Sequence, residues 1–217
     1  MSEKESLRTL LDDGLAEMSL SIDDLQRSLL IDYVLLLSKW NKTHNLTAIR
    51  NPQDMITRHL LDSLSISEFV ASGRLLDVGS GAGLPGIPLA IIRSDLSVTL
   101  VDSVKKKTQF MAFAASAMGL SNVTVEHTRI EDLDAPKAFP MVTARAFADI
   151  NLLCDLTRRL ITPNGQVLAM FGRFPEHEQM ESFRQISGFS LQGIEKLQVP
   201  GEQAQRNLVI LERSVDQ

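Results

Sequence analysis

Asp77, Gly79, Gly81, Gly83 and Asp102 are the residues whose types and spacing could do chemistry. They fall in and after Arg74-Leu75-Leu76-Asp77-Val78-Gly79-Ser80-Gly81-Ala82-Gly83-Leu84-Pro85-Gly86. Glycines at alternate positions let the backbone turn tightly and let a ligand lie against bare peptide. The apolar run Leu75, Leu76, Val78, bounded by Gly73 and Gly79, reads as a short buried parallel strand. Pro85 suits the first turn of a helix. Ile87, Leu89, Ala90, Ile91 and Ile92 make that helix apolar nearly all round and therefore buried. Strand, glycine turn and helix start together form a nucleotide-type site. No lysine follows the glycines, which argues against a phosphate-binding P-loop. A second strand, Leu96 to Asp102, ends in an acid about twenty residues past the loop, where nucleotide-binding α/β units place a ribose-binding carboxylate. The plainer role for Asp102 is to cap the next helix together with Ser103.

Read as the dinucleotide fingerprint G-x-G-x-x-G, the loop puts Leu84 where the third glycine belongs. With Asp77 ahead of it, the loop instead resembles motif I of the class I S-adenosylmethionine (SAM) methyltransferases. SAM has no phosphate, and its methionine end carries an ammonium and a sulfonium, so a nearby carboxylate makes chemical sense. A third strand, Val123 to Val125, leads to Glu126-His127-Thr128-Arg129-Ile130-Glu131-Asp132. In that class the loop here meets the adenine ring, which by resemblance assigns Ile130 and Glu131 to the cofactor. An exposed acidic turn is the other reading of Glu131 and Asp132.

The remaining chain must position these residues. Its 217 residues are 44% hydrophobic and 23% charged, ample for a real core. No apolar run approaches a membrane span, and the charged start Met1-Ser2-Glu3-Lys4-Glu5 predicts no secretory signal. The single cysteine, Cys154, rules out an internal disulfide and a cysteine-rich metal site, so a cytoplasmic protein without metal is expected. A net charge of −5 lowers the expectation of a nucleic-acid partner, although an acidic whole can still carry a basic face. Residues 6 to 70 read as helices: one set on Leu7, Leu10, Leu11 and Leu15, a longer helix from Leu25 to Trp40, and one after Pro52 with inner positions from Met55 to Phe69. Met141 to Ala144 reads as a fourth strand ending in Arg145, Asn151 to Leu160 as a helix, and Gln166 to Gly172 as a further strand after Pro163-Asn164-Gly165. Phe189 to Val199 and Gln205 to Leu211 read as a closing hairpin about Pro200-Gly201.

Lys39, Lys42, Arg50 and Arg58 cluster around the polar linker, with His44 and His59 as further donors. Here the motifs become specific. Trp40-Asn41-Lys42-x-x-Asn45-Leu46-Thr47, then Arg58-His59-x-x-Asp62-Ser63, then Asp77 through Ile91 with its Leu-Pro-Gly-Ile-Pro run, resemble the bacterial small-subunit (16S) ribosomal RNA guanine-N7 methyltransferases, long called glucose-inhibited division protein B. Asp102-Ser103 followed by Lys105, Lys106 and Lys107 fits the same pattern. The resemblance runs from about residue 6 to residue 212.

The resemblance implies a class I SAM-dependent methyltransferase: an α/β, Rossmann-like seven-stranded sheet over residues 73–217, with an N-terminal helical extension over 1–72. It implies methyl transfer from SAM to N7 of a guanine in 16S ribosomal RNA, free or in the small subunit, and nothing in the sequence demands more than a monomer. Asp77, Gly79, Gly81, Gly83, Leu84, Asp102, Ile130, Glu131 and Arg145 would hold SAM. Arg145, in the family's Arg-Ala-Phe motif, would also face the reacting base, with an ion pair to Glu131 or Asp77 as its structural alternative. Lys42, Asn45, Arg58, His59, Lys105 and Lys106 would meet RNA. Phe171 stands where the family usually has lysine, and Arg173 is the candidate substitute. Two other classes stay open: a NAD-binding oxidoreductase, disfavoured by loop spacing, and a non-catalytic RNA- or protein-binding module.

Overall fold

The computed structural model describes residues 2–147, 149–172, 181, 183–184 and 186–214. Strands β1 (Gly73–Val78), β2 (Leu96–Asp102), β3 (Val123–His127), β4 (Phe139–Arg145) and β5 (Ile161–Phe171) run parallel. Strands β6 (Phe189–Leu197) and β7 (Arg206–Arg213) form the closing hairpin, with β7 antiparallel to β5. The seven-stranded order is β3-β2-β1-β4-β5-β7-β6, so the direction of winding reverses between β1 and β4. Open α/β sheets bind ligands outside the strand ends at such a switch. Both Asp77–Val78 and Ala144–Arg145 end there.

Local chemistry explains most helix boundaries. Helices α1 (Glu3–Glu17) and α2 (Asp24–His44) each start in a capping box, Ser2 with Glu5 and Asp23 with Gln26. Asn45 ends α2 in the left-handed region at φ 49°, a conformation asparagine tolerates better than most residues. Asn51 caps α3 (Pro52–Met55), and the chain then widens into a π turn, Ile56–Leu61, before α4 (Asp62–Leu64) and a 3₁₀ turn, Ser67–Phe69. This corrects the expected uninterrupted helix. The wide turn re-phases the side chains, and both His59 and Asp62 are buried. Helices α5 (Gly86–Ile92), α6 (Lys105–Ala117) and α7 (Ile150–Thr157) cover the sheet. The last of these stops short of the expected Leu160. Strand β5 starts earlier than expected, and the flanking register shifts between Phe139 and Met141, with Asn164 at φ 60°. Among the described residues no helix is long and apolar enough to cross a membrane.

The N-terminal helices share one apolar cluster with the sheet: Leu7, Leu11, Leu30 and Leu60 join Leu75, Ile87, Val98 and Leu100. The opposite face packs Leu76, Val78 and Val142 against Leu153 and Cys154 of α7. One polar contact crosses the first cluster. The Tyr33 hydroxyl, fully buried on α2, donates to the Ala82 carbonyl in the glycine loop at 2.8 Å. Burial pushes the Tyr33 phenol above its ordinary pKa, which keeps it a donor. Tyr33→Phe should therefore cost about 1–2 kcal/mol in denaturant unfolding, because a buried carbonyl is left without a donor.

Candidate active site

The glycine loop is stitched to β2 before any ligand is considered. The Gly79 and Ser80 amides both donate to the Val101 carbonyl, at 2.9 and 3.1 Å. The Ser80 hydroxyl donates to the Asp77 carbonyl at 2.7 Å and accepts from the Val101 amide at 3.2 Å. Gly79 and Gly81 sit at φ +66° and +61°, where other residues are strained. No atom lies within 4 Å of where a Gly79 Cβ would project, so that glycine preserves free volume. Gly86 is required for a different reason: a Cβ there would come within 2.3 Å of Leu100 and 2.8 Å of Asp77 Oδ2.

Two carboxylates flank the loop. Asp77 is fully buried; its Oδ2 accepts from the Gly86 amide at 2.9 Å, and its Oδ1 has no partner. Burial pushes its pKa up to about 7, against the opposing pull of the Gly86 amide and the Arg145 charge. Asp102 is fully engaged. Its Oδ2 accepts from the Gly81 amide at 3.0 Å and from Lys107 Nζ at 3.3 Å, and its Oδ1 from the Val104 amide at 2.9 Å. It braces the loop and holds the Val104 amide ahead of α6, whose N-terminus has no side-chain cap, so the expected capping role with Ser103 is not what the structure shows.

Two cavities open at the strand ends. One, of about 450 Å³, is lined by Val78, Gly79, Asp102, Ile130, Glu131 and Arg145 among others. The other, of about 520 Å³, is lined by Thr47, His59, Asp62, Gly79, Gly81, Leu84, Arg145, Phe171 and Arg206 among others. Gly79, Arg145 and Ala146 belong to both walls, so the cavities adjoin across the loop. Ala146 holds φ 58°, a strained value for alanine, immediately after Arg145. The Ile130–Asp132 turn is clasped by Arg159, which donates to the carbonyls of Ile130, Glu131 and Leu133 at 2.6–3.0 Å.

Arg145 is paired, though with neither expected partner. Its Nη1 donates to Asp62 Oδ2 at 3.0 Å and to the Arg58 carbonyl at 3.2 Å. Asp77 lies fully buried behind the loop with its Oδ2 on the Gly86 amide, and Glu131 is exposed on its turn. Asp62 also accepts from Arg206 Nε at 2.7 Å, and Glu202 bridges Arg206 and Arg58 at 3.1 and 3.2 Å. The network thus carries three guanidinium groups against two carboxylates, a net positive wall on the larger cavity.

His59 differs from its expected role as a free RNA donor. Its Nδ1 meets the Arg58 carbonyl at 2.9 Å and its Nε2 meets Thr47 Oγ1 at 2.9 Å. Burial, then the Arg145 charge, lowers its pKa to about 4, so the ring is neutral at pH 7. A carbonyl can only accept, which puts the proton on Nδ1 and makes Nε2 the acceptor from threonine. The side chain is a wall of the cavity. Lys42, Asn45, Lys105 and Lys106 are exposed, and the Asn45 carboxamide accepts from Arg50 at 3.1 Å. Leu84 lines the larger cavity, while Gly83 faces Ile87 and lines neither. Arg173 lies outside the described residues. Tyr33, Arg159 and Arg206 carry no local sequence signal for the site, because their partners lie far along the chain or depend on burial, and Thr47 shows only as part of its motif. Asp62 was visible only as part of a motif.

Residues 26–209 match the family "rRNA small subunit methyltransferase G" (GidB). The ribosomal RNA small subunit methyltransferase G of Methylobacillus flagellatus is 46% identical over 203 residues, covering 93% of this chain and 96% of that protein. Among solved structures, the cyclase SpnF superposes with a TM-score of 0.60 at 17% identity, over 90% of this chain and 98% of that one. The Burkholderia thailandensis 1,6-didemethyltoxoflavin-N1-methyltransferase, solved with S-adenosylhomocysteine, gives 0.59 at 11% identity, over 90% and 92%. At such identities the structures show a shared fold, which serves a cyclase as well as methyltransferases.

Asp77 and His59 set opposite pH slopes on stability. The raised pKa of Asp77 means the folded state holds the extra proton between about pH 4 and 7, so its contribution is lost as pH rises through that window. The lowered pKa of His59 means the unfolded state holds the extra proton between about pH 4 and 6.5, so its contribution grows as pH rises. Relative to the parent, Asp77→Asn should gain stability with rising pH over this range and His59→Gln should lose it. Denaturant melts between pH 4.5 and 7 read both; parallel curves for all three proteins would contradict the assignment.

Proposed function

The chain belongs to the rRNA small subunit methyltransferase G (GidB) family, and we propose that it transfers a methyl group from SAM to N7 of a guanine in small-subunit ribosomal RNA. The observation that carries the reading is the pair of cavities joined at Gly79 and Arg145, above the switch point of the sheet. The residues present fit SAM. Open space over Gly79 admits a ligand against the peptide, and Asp102 and Glu131 line the smaller cavity as acceptors. In this reading Gly79, Gly81 and Leu84 border the methionine end, with Asp77 and Gly83 shaping the loop from behind. Asp102, Ile130 and Glu131 border the nucleoside in the smaller cavity.

SAM supplies a methyl group already activated by its sulfonium, and guanine N7 carries an in-plane lone pair, so no general base is required. The protein's task is to align the base and exclude water. Arg145, held by Asp62, would present a fixed positive charge to the purine as charge redistributes. Neutral His59 and Phe171 would supply wall rather than proton transfer. The Hoogsteen edge is blocked by stacking in folded RNA, so the target guanine must be splayed into the larger cavity. Residues 1–72 would serve as the substrate-facing extension and 73–217 as the SAM-binding core. Lys42, Lys105 and Lys106 would meet phosphates, with Asn45 and Arg58 shaping the same rim. We place the enzyme in the cytoplasm, acting as a monomer without metal.

Radiolabelled SAM offered with small-subunit RNA lacking this modification, naked or in assembled subunits, should label one guanine that chemical cleavage maps as N7-methylated. Gly79→Val should lose SAM binding in calorimetry. Arg145→Ala should lower transfer about a hundredfold. SAM binding without label on either RNA form would sink the RNA assignment and keep the fold.

A further inference from the structure

A second surface lies on the two helices that flank the cavity-lining segments. Trp40, near the end of α2, packs at 5.6 Å edge-on to buried Phe110 of α6 and at 5.3 Å to Phe113 one turn along. His44 tilts against Trp40 at 5.0 Å. Phe113 is 49% exposed, unusual for so large an apolar side chain, and His44 is exposed beside it. The rings form a ledge that starts in the core and ends in solvent.

The charged residues that flank Trp40 and open α6 are all lysines. Lys39 and Lys42 flank Trp40, and Lys105 and Lys106 open α6, which carries no acidic residue along its length. Among the described residues, none of these four lysines forms an ion pair, whereas the neighbouring Lys107 turns inward to Asp102. Lysines at a helix N-terminus oppose the helix dipole and gain from an external anion. The two helices that carry the ledge also lead into the cavity walls. Directly after α2, Leu46 to Ile49 line the larger cavity, and Val104, directly before α6, lines the smaller one.

Unpaired lysines around partly exposed aromatic faces match the two needs of a single-stranded nucleic acid, phosphate neutralisation and base stacking. We propose that the Trp40–His44–Phe113 ledge stacks unpaired bases of the RNA substrate next to the target guanine, with Lys39, Lys42, Lys105 and Lys106 on the adjoining phosphates. This rests on the methyltransferase reading and adds to it a docking surface outside the reaction cavities. The ledge holds the strand, and the splayed guanine reaches over the Leu46–Ile49 segment into the larger cavity.

The chain has one tryptophan, so its fluorescence reports Trp40 alone. Deproteinised small-subunit RNA lacking the modification should quench it saturably. Phe113→Ser should weaken RNA binding about tenfold and raise KM for RNA similarly, with kcat and SAM affinity retained. Phe113→Tyr, which keeps the ring, should bind RNA as the parent does. Binding and KM within twofold of the parent in Phe113→Ser would overturn the ledge. So would a loss confined to assembled subunits, which would make the ledge a contact for ribosomal protein. RNA that quenches Trp40 and depends on the Phe113 ring, but accepts no methyl group either free or in subunits, would leave the ledge standing and remove the methyltransferase reading. Absence of binding to the deproteinised RNA by the parent would overturn the ledge and leave the methyltransferase reading to labelling of assembled subunits.

Discussion

Asp62 is where distant parts of the chain are tied together. It comes from the N-terminal helices, pairs with Arg145 at the end of central strand β4, and pairs again with Arg206 at the start of β7. Its side chain is 5% exposed and those of Arg145 and Arg206 are 23% and 19% exposed. Two arginines converging at such burial would repel without a carboxylate between them. Removing one partner of a buried pair costs about 3–5 kcal/mol, more than the pair itself contributes against an apolar replacement. The arrangement therefore reads as a device for position more than for stability. It fixes a cation at the rim of a cavity and needs helix, sheet and hairpin to be in place together.

The glycine loop depends on a similar convergence on its other side. Val101 of β2 takes its amides, Asp102 takes Gly81, and Tyr33 of α2 takes Ala82. Tyr33 lies 6.2 Å from Phe110, which in turn meets Trp40. A line of rings thus connects the back of the loop to the exposed face of α2 and α6. Such packing is close to incompressible, so the N-terminal helices back the loop on the side away from β2. The family's motifs at Trp40 to Thr47 and at Arg58 to Ser63 gain a physical sense from this: they build one wall of the site.

What was legible in the sequence was what is local. The strand, glycine turn and helix from Gly73 to Ile92 announce themselves because each residue's type is dictated by its own backbone. Asp102 could be placed by its distance from the loop. Arg145 stood out because a charge ending an apolar strand needs a partner, yet the partner itself could not be read, since Asp62 lies 83 residues earlier. Arg206 bonds Asp62 across 144 residues and carried no local signal at all. His59 misled for a different reason. A histidine among basic residues looks like a surface donor, and only the widened turn at Ile56–Leu61 shows that it faces inward and stays neutral.

The net charge of −5 pointed away from RNA, and its distribution explains why that inference fails locally. Many of the N-terminal acids are spent on neighbouring cations: Asp12 on Arg27, Asp24 on Arg8, Asp32 on Lys4. At the mouth of the cavities the balance inverts, with exposed lysines on α2 and α6 and three guanidinium groups against two carboxylates in the wall. At physiological ionic strength charges more than about 8 Å apart are largely screened from one another. A phosphate arriving at the mouth therefore feels the lysines beside it and little of the distant acids. A whole-chain sum weights both equally, and where many acids are already neutralised by neighbouring cations it hides a local excess of positive charge.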